Sequence, residues 1–206
     1  MHVLDVRKHV KPDYRVSVPE GESGEWRVER FEVSEDASMF FNLRQSFKLG
    51  SRTVTPGSYT RLVRGNTIVM SDTPAEVRDH WELFARVRLE STKRVLMHGL
   101  GLGMALQEVL RQPHVEQVDV VEISEDVIRL VGPHYRTDPR LVLHHGDALT
   151  YRFPRNTRWD VVWHDIWDNI CVDNLPQVTH LKRRYGTRCD VQFAWCEALT
   201  RRYAGR

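Results

Sequence analysis

The chain has 206 residues, 41% of them hydrophobic and 28% charged, with a formal net charge of +2. That length suits one domain with a short appendage and a real core, and so small a charge argues neither for nor against a nucleic-acid partner. No run of 18 apolar residues occurs and the first 30 residues hold no signal-like apolar stretch, which argues against a membrane span and for a cytoplasmic protein. In chain order, the first 25 residues are polar and rich in Pro and Gly, and read as an irregular or mobile arm. Residues 26–33 alternate in part through Trp26, Val28, Phe31 and Val33, as a strand does. Residues 38–47 place Met39, Phe40, Leu43 and Phe47 at helical spacing. Residues 51–72 read as β-rich, with Arg64-Gly65-Asn66 as a hairpin turn. Thr73-Pro74-Ala75-Glu76 predicts a helix start with a capping box, the helix ending near Glu90.

From Arg94 the pattern changes to buried strands alternating with short helices. Strands are predicted over 94–100, 117–123, 141–145 and 160–166, with helices over 102–112 and 124–131, the second capped by Ser124. Continuous apolar runs such as Val161-Val162-Trp163 suit strands buried on both faces, and the alternation implies a parallel sheet. The expected fold is therefore α/β: a Rossmann-like parallel sheet over 73–206 behind an N-terminal arm and β-rich extension over 1–72. The last 40 residues read as helical, over 175–185 and 191–203. No strand is predicted after Ile166, so the sheet reads as truncated after its fourth strand.

The chemistry concentrates at predicted strand ends. Gly99, Gly101 and Gly103 follow the first strand and open a helix; glycines permit a tight turn and close approach of a ligand to the backbone. A purely structural turn is the competing reading. Glu122 ends the next strand, 19 residues after Gly103, where an acid can accept hydrogen bonds from both hydroxyls of a ribose. The dinucleotide fingerprint needs a glycine at Met104, so a pyrophosphate cofactor is disfavoured. Gly146-Asp147-Ala148 follows the third strand and Asp165-Ile166-Trp167-Asp168 the fourth. Trp163 and Trp167 flank that end, as substrate platforms or as packing. His98, His144, His145 and His164 match no metal spacing and read as supporting or core residues. Cys171, Cys189 and Cys196 match no zinc pattern and suit a reducing compartment.

On these motifs the stretch from about Arg94 to Asp168 resembles the class I S-adenosylmethionine-dependent methyltransferase superfamily, in its spermidine synthase-like branch. The resemblance implies S-adenosylmethionine as cofactor, held by His98, Gly99, Gly101, Gly103, Glu122, Ile123, Asp147 and Ala148, with no metal. It implies that the glycine loop faces the methionine part, Glu122 the ribose and Asp147 the adenine amine. Asp165 would be the base or orienter of the incoming nucleophile, with Asp168 beside it. Methyl transfer to an unidentified acceptor is the favoured activity. Aminopropyl transfer is the alternative; the D-x-x-D spacing favours it. Leu102 opposes it, because polyamine synthases usually carry an acid there. A third reading is a non-catalytic protein that keeps the cofactor fold, suggested by a superfamily sheet that normally has three more strands. A homo-oligomer would cover the exposed sheet edge. Lys182-Arg183-Arg184 with Arg188 offers a nucleic-acid contact, against the plainer reading of a solvated basic helix.

Overall fold

The computed structural model describes residues 13–45 and 52–205. Two sheets carry the fold. The first is antiparallel, in the order β1 (Gly21–Ser23), β2 (Trp26–Val33), β3 (Gly57–Arg64), β4 (Thr67–Ser71). β2 pairs with β3 along its whole length, from Trp26 opposite Arg64 to Val33 opposite Gly57. Gly65, at φ +57°, makes the turn between β3 and β4, as Arg64-Gly65-Asn66 predicted. Helix α1 (Glu35–Gln45) takes in 38–45 of the predicted 38–47; Phe47 lies outside the described residues.

The second sheet is parallel, built from β5 (Arg94–His98), β6 (Gln117–Glu122), β7 (Leu141–His145), β8 (Trp159–His164) and β9 (Cys189–Ala194), in the order β7-β6-β5-β8-β9. Helices α4 (Met104–Leu110), α5 (Glu125–Tyr135) and α6 (Leu175–Tyr185) are the crossovers, and α7 (Glu197–Ala204) follows β9. The strand order reverses at β5 and β8, the place where open parallel sheets leave a crevice at their carboxyl edge. Ser124 caps α5 by accepting the Val127 N–H, as its position before an acidic first turn predicts.

β9 corrects the expectation of a sheet ending at its fourth strand. Residues 189–194 form a parallel ladder with β8, Trp159 opposite Cys189 through His164 opposite Ala194. Only Glu197–Ala204 of the predicted 191–203 helix is helical. Val191 and Phe193 pack on the main core while Asp190 is exposed. Cys189, Val191 and Phe193 alternate with Asp190 and Gln192, the period of a strand, and pairing with β8 completes it.

Two further expectations change. The helix predicted from Thr73 to Glu90 is two short helices, α2 (Pro74–Asp79) and α3 (Trp81–Val87), broken at His80. Its capping box does not form: the Thr73 hydroxyl bonds the Ser71 hydroxyl, and Glu76 pairs with Arg52 at 2.8 Å. Residues 13–20 are irregular but packed, not a free arm. Val16 and Val18 are buried, Tyr14 stacks on Phe84 at 5.2 Å, and the Val16 N–H donates to Asp72.

The two sheets share one core. Trp26, Val28 and Leu62 from the antiparallel sheet join Leu83, Phe84, Val95, Met97 and Trp163 in a single apolar cluster. A second cluster on the other face of the parallel sheet holds Leu96, Val162, Leu181 and Tyr185. Between them β5 and β8 are covered on both faces, as their continuous apolar sequence implies.

Candidate functional site

The carboxyl ends of β5 to β8 open on a cleft of about 340 Å³, roofed by Trp26, Leu62, Arg64, Val69 and Met70 of the antiparallel sheet. Backbone bonds carry each strand into its loop: the Gly99 N–H reaches Val121 O, Gly146 N–H reaches Glu122 O, and Asp165 N–H reaches His98 O. The loops after β5, β6, β7 and β8 therefore start side by side.

The glycine loop is a close-fitted turn. Gly99 sits at φ +93°, and a Cβ there would stand 2.0 Å from the carbonyl oxygen of Asp165. Gly101 sits at φ +51°, where a Cβ would strike the Met70 sulfur. Residues with side chains adopt these angles at a cost, and here the space is taken as well. Glu122, largely buried, accepts the Leu100 N–H with one carboxylate oxygen and the Ser124 N–H with the other, both at 2.8 Å. Burial raises its pKa, although the amide donors pull it back. A carboxylate offers about four acceptor positions, and the backbone N–H groups of Ile123 and Gly101 also act on this one. Asp147 accepts the Leu149 N–H at 2.8 Å and lines the cleft with Ala148 and Ile123.

Of the residues singled out in the sequence, Gly99, Gly101, Glu122, Ile123, Asp147, Ala148, Asp165 and Asp168 line this one cleft. His98 and Gly103 do not. The His98 ring is fully buried and bonds His164 across the sheet, Nδ1 to Nδ1, at 2.8 Å. Gly103 starts α4 at φ +75°, and a Cβ there would meet the Tyr135 ring at 2.2 Å, so its lack of a side chain serves helix packing. Leu102 is fully buried in the core.

Asp165 has a partner that no sequence pattern announced. His80 Nε2 lies 3.0 Å from Asp165 Oδ2, and His80 Nδ1 lies 2.7 Å from the Glu76 carbonyl oxygen. A carbonyl only accepts, so Nδ1 carries a proton and the second proton of the pair lies between Nε2 and the carboxylate. Burial lowers the His80 pKa, but the hydrogen bond and charge of Asp165 outweigh it and the net shift is upward. Glu76, one turn earlier, also lines the cleft; burial pushes it up to about 7 despite Arg52. Asp168 is engaged too: its Oδ2 accepts from Arg64 Nη2 at 2.7 Å, across the mouth between the two sheets. Trp167 lines the cleft with its N–H donated to Gln177, and Trp163 lines it with its indole N–H unpartnered among the described residues.

The basic residues of α6 and of the turn after it mostly serve the fold. Lys182 pairs with Glu197 at 2.6 Å, Arg184 donates to the carbonyls of Leu149, Thr150 and Tyr151, and Arg188 to those of Thr157 and Pro154. No group of three metal-ligating side chains occurs among the described residues, nor any helix long and apolar enough to cross a membrane.

Parts of this chain are similar to known proteins. Putrescine N-methyltransferase 2 of Nicotiana attenuata is 38% identical over 69 residues, 31% of this chain and 19% of that protein. The polyamine aminopropyltransferase of Thermoanaerobacter sp. (strain X514) is 36% identical over 87 residues, 39% of this chain and 31% of that one. The matches thus span less than a third of the relatives' own lengths. The crystal structure of spermidine synthase from Thermotoga maritima superposes with a TM-score of 0.43 at 19% identity, over 70% of this chain and 46% of that one. The spermine/spermidine synthase domain matches residues 79–186, from the residue before His80 through the glycine loop, Glu122, Asp147 and Asp165 to the end of α6. With just over half its length so matched, and with those residues gathered around one cleft, the chain belongs to the spermine/spermidine synthase domain family.

Proposed function

We propose that this protein transfers the methyl group of S-adenosylmethionine to an aliphatic amine. The observation that carries the reading is the Asp165 carboxylate: it lines the cleft beside the glycine loop and is held by a buried histidine. The residues fit the nucleoside. Glu122 suits the ribose hydroxyls, Ile123 and Ala148 suit the faces of the adenine, and Asp147 its amine. The unpartnered Trp163 N–H is a donor in want of an acceptor. An amine acceptor accords with the names of both relatives, and with a cleft edged by Glu76, Asp165 and Asp168.

S-adenosylmethionine supplies an electrophilic methyl on a sulfonium. The chain's part is to position and to move one proton. Asp165 orients the amine and takes the proton released as the new N–C bond forms and the S–C bond breaks, the bonding pair staying on sulfur. His80 fixes the direction of the Asp165 carboxylate and keeps Oδ2 occupied. Asp165 follows β8 and His80 stands between α2 and α3, so the bond ties the sheet edge to the break between those helices.

Aminopropyl transfer is the second reading, favoured by Asp165 and Asp168 in one cleft. It is opposed by Leu102, which lies in the core and brings no acid to the ligand's amine end.

The test is calorimetric titration with S-adenosylmethionine, S-adenosylhomocysteine and decarboxylated S-adenosylmethionine, followed by labelled methyl transfer to diamines. Asp165→Asn is expected to bind the nucleosides normally and to turn over about 100-fold or more slowly. Full turnover in Asp165→Asn would remove its assigned role. Loss of nucleoside binding in Glu122→Ala alone supports the site; no binding by the unaltered protein ends the transferase reading.

A further inference from the structure

Arg64 is a cation in an acidic cleft. Five carboxylates line the cleft with it: Glu76, Glu122, Asp147, Asp165 and Asp168. His80 is committed to Asp165, so among the described lining residues Arg64 alone holds a permanent positive charge. Its place is fixed from two sides. Nη2 donates to Asp168 at 2.7 Å, and the guanidinium carbon lies 5.3 Å from the centre of the Trp26 ring. A guanidinium has five N–H donors in a rigid fork, so one bond to Asp168 leaves donors for a second carboxylate.

The order of the strands says which end of a bound nucleoside Arg64 meets. The residues suited to adenine follow β7 and the ribose acid follows β6, while the glycine loop follows β5 and Asp168 follows β8. A nucleoside laid along that edge runs its tail past the glycine loop toward Asp168, where Arg64 crosses from the roof. The tail of S-adenosylmethionine ends in an ammonium and a carboxylate. The tail of the decarboxylated form ends in an ammonium alone, and with its sulfonium it carries two positive charges and nothing for Arg64 to bind.

We propose that Arg64, clamped by Asp168, receives the carboxylate of S-adenosylmethionine and so selects it over the decarboxylated form. The inference rests on the reading of the cleft as a nucleoside site, and it gives Asp168 a positioning role in place of a catalytic one.

Titration of the full chain decides it, with S-adenosylmethionine, decarboxylated S-adenosylmethionine and methylthioadenosine, which has neither tail group. The unaltered protein is expected to prefer S-adenosylmethionine by about tenfold or more, the scale of one hydrogen-bonded charge pair. Arg64→Gln should weaken S-adenosylmethionine by about 10- to 100-fold and leave methylthioadenosine within about twofold, bringing the two tailed nucleosides to parity. Arg64→Lys should restore part of the preference. Equal weakening of all three nucleosides by Arg64→Gln would mean that Arg64 only holds the roof in place, and would overturn the assignment. So would an unaltered protein with no preference, or an Arg64→Gln protein that keeps it. All three outcomes leave the nucleoside site standing, whereas failure of every nucleoside to bind the unaltered protein removes the site itself.

Discussion

Gly99 and Gly103 look alike in the sequence and do different work. Gly99 lets the carbonyl of Asp165 approach the loop, so a methyl group there must push the β8 loop and its carboxylate away. Gly103 lets the Tyr135 ring lie against the start of α4. Both Ala variants are strained, because both positions lie at positive φ, and each should lose more than about 1 kcal/mol of stability in chemical denaturation. They should part in function. Gly103→Ala should leave the nucleoside affinity of the remaining folded protein near normal. Gly99→Ala should lower turnover as well, because it moves Asp165. Equal loss of turnover per folded molecule in both would show that neither glycine is specific to the cleft. His80 is the residue that sequence reading missed. Its partner Asp165 is 85 positions away, and a histidine after a short helix carries no local mark of that partner.

At the scale of the element, β5 and β8 lie side by side with His98 opposite His164. Both rings are fully buried, and His164 Nε2 donates to the Gln192 amide oxygen of β9 at 3.1 Å. That bond makes His164 Nδ1 the acceptor and His98 Nδ1 the donor, so both rings are neutral. Burial lowers both pKa values, that of His164 from 6.5 to about 4, and that of His98 further by the neighbouring ring. A histidine with a depressed folded pKa gives no penalty above pH 6.5, where folded and unfolded states are both neutral. Below it the unfolded state takes up protons first, so stability falls between pH 6.5 and about 4. His164 alone should contribute about 3 kcal/mol of that fall. Denaturant melts at pH 7.5 and pH 4.5 should show the loss, and His164→Gln should flatten it. His80 runs the other way: its raised pKa adds stability at low pH that is lost as pH rises through the folded value. Most elements were legible. β2, β7 and α6 fall where periodicity put them, and the hairpin where its glycine did, because each pattern is long or has a definite turn residue. α2, α3 and β9 were not. The first two are short helices that part at His80, and β9 is a short alternating run that stands close before α7 and reads with it as one helix.

At the scale of the molecule, the cleft belongs to neither sheet alone. Its floor is the carboxyl edge of the parallel sheet and its roof is β3 and β4 with Trp26. Ties between them include Arg64 to Asp168, the Leu102 N–H to the Met70 sulfur at 3.1 Å, and the Ser23 hydroxyl to Asp126 at 2.6 Å. A ligand that touches both sheets binds only the closed, folded state and must stabilise it by mass action. S-adenosylmethionine at 100 times its dissociation constant should add about 2.7 kcal/mol, read as a rise of a few degrees in melting temperature. Methylthioadenosine at the same multiple should give the same rise, since only occupancy counts. A ligand that binds in calorimetry without shifting the melt would bind the unfolded chain as well as the folded one, and so would not be held by the folded cleft.

The sequence by itself determined the parallel α/β unit, the glycine turn and the acids that follow each strand. Those are local matters: apolar runs, turn residues and spacing within one β-α unit fix which side chains stand at a strand's carboxyl end. Only the tertiary structure decided what those side chains face. His80 against Asp165, Arg64 against Asp168 and Met70 over Gly101 are pairings between segments from 31 to 104 residues apart, made where the antiparallel sheet and the break between α2 and α3 pack over the crevice at β5 and β8. Chain spacing carries no information on such contacts, because they depend on how separate elements pack and not on the period of any one of them.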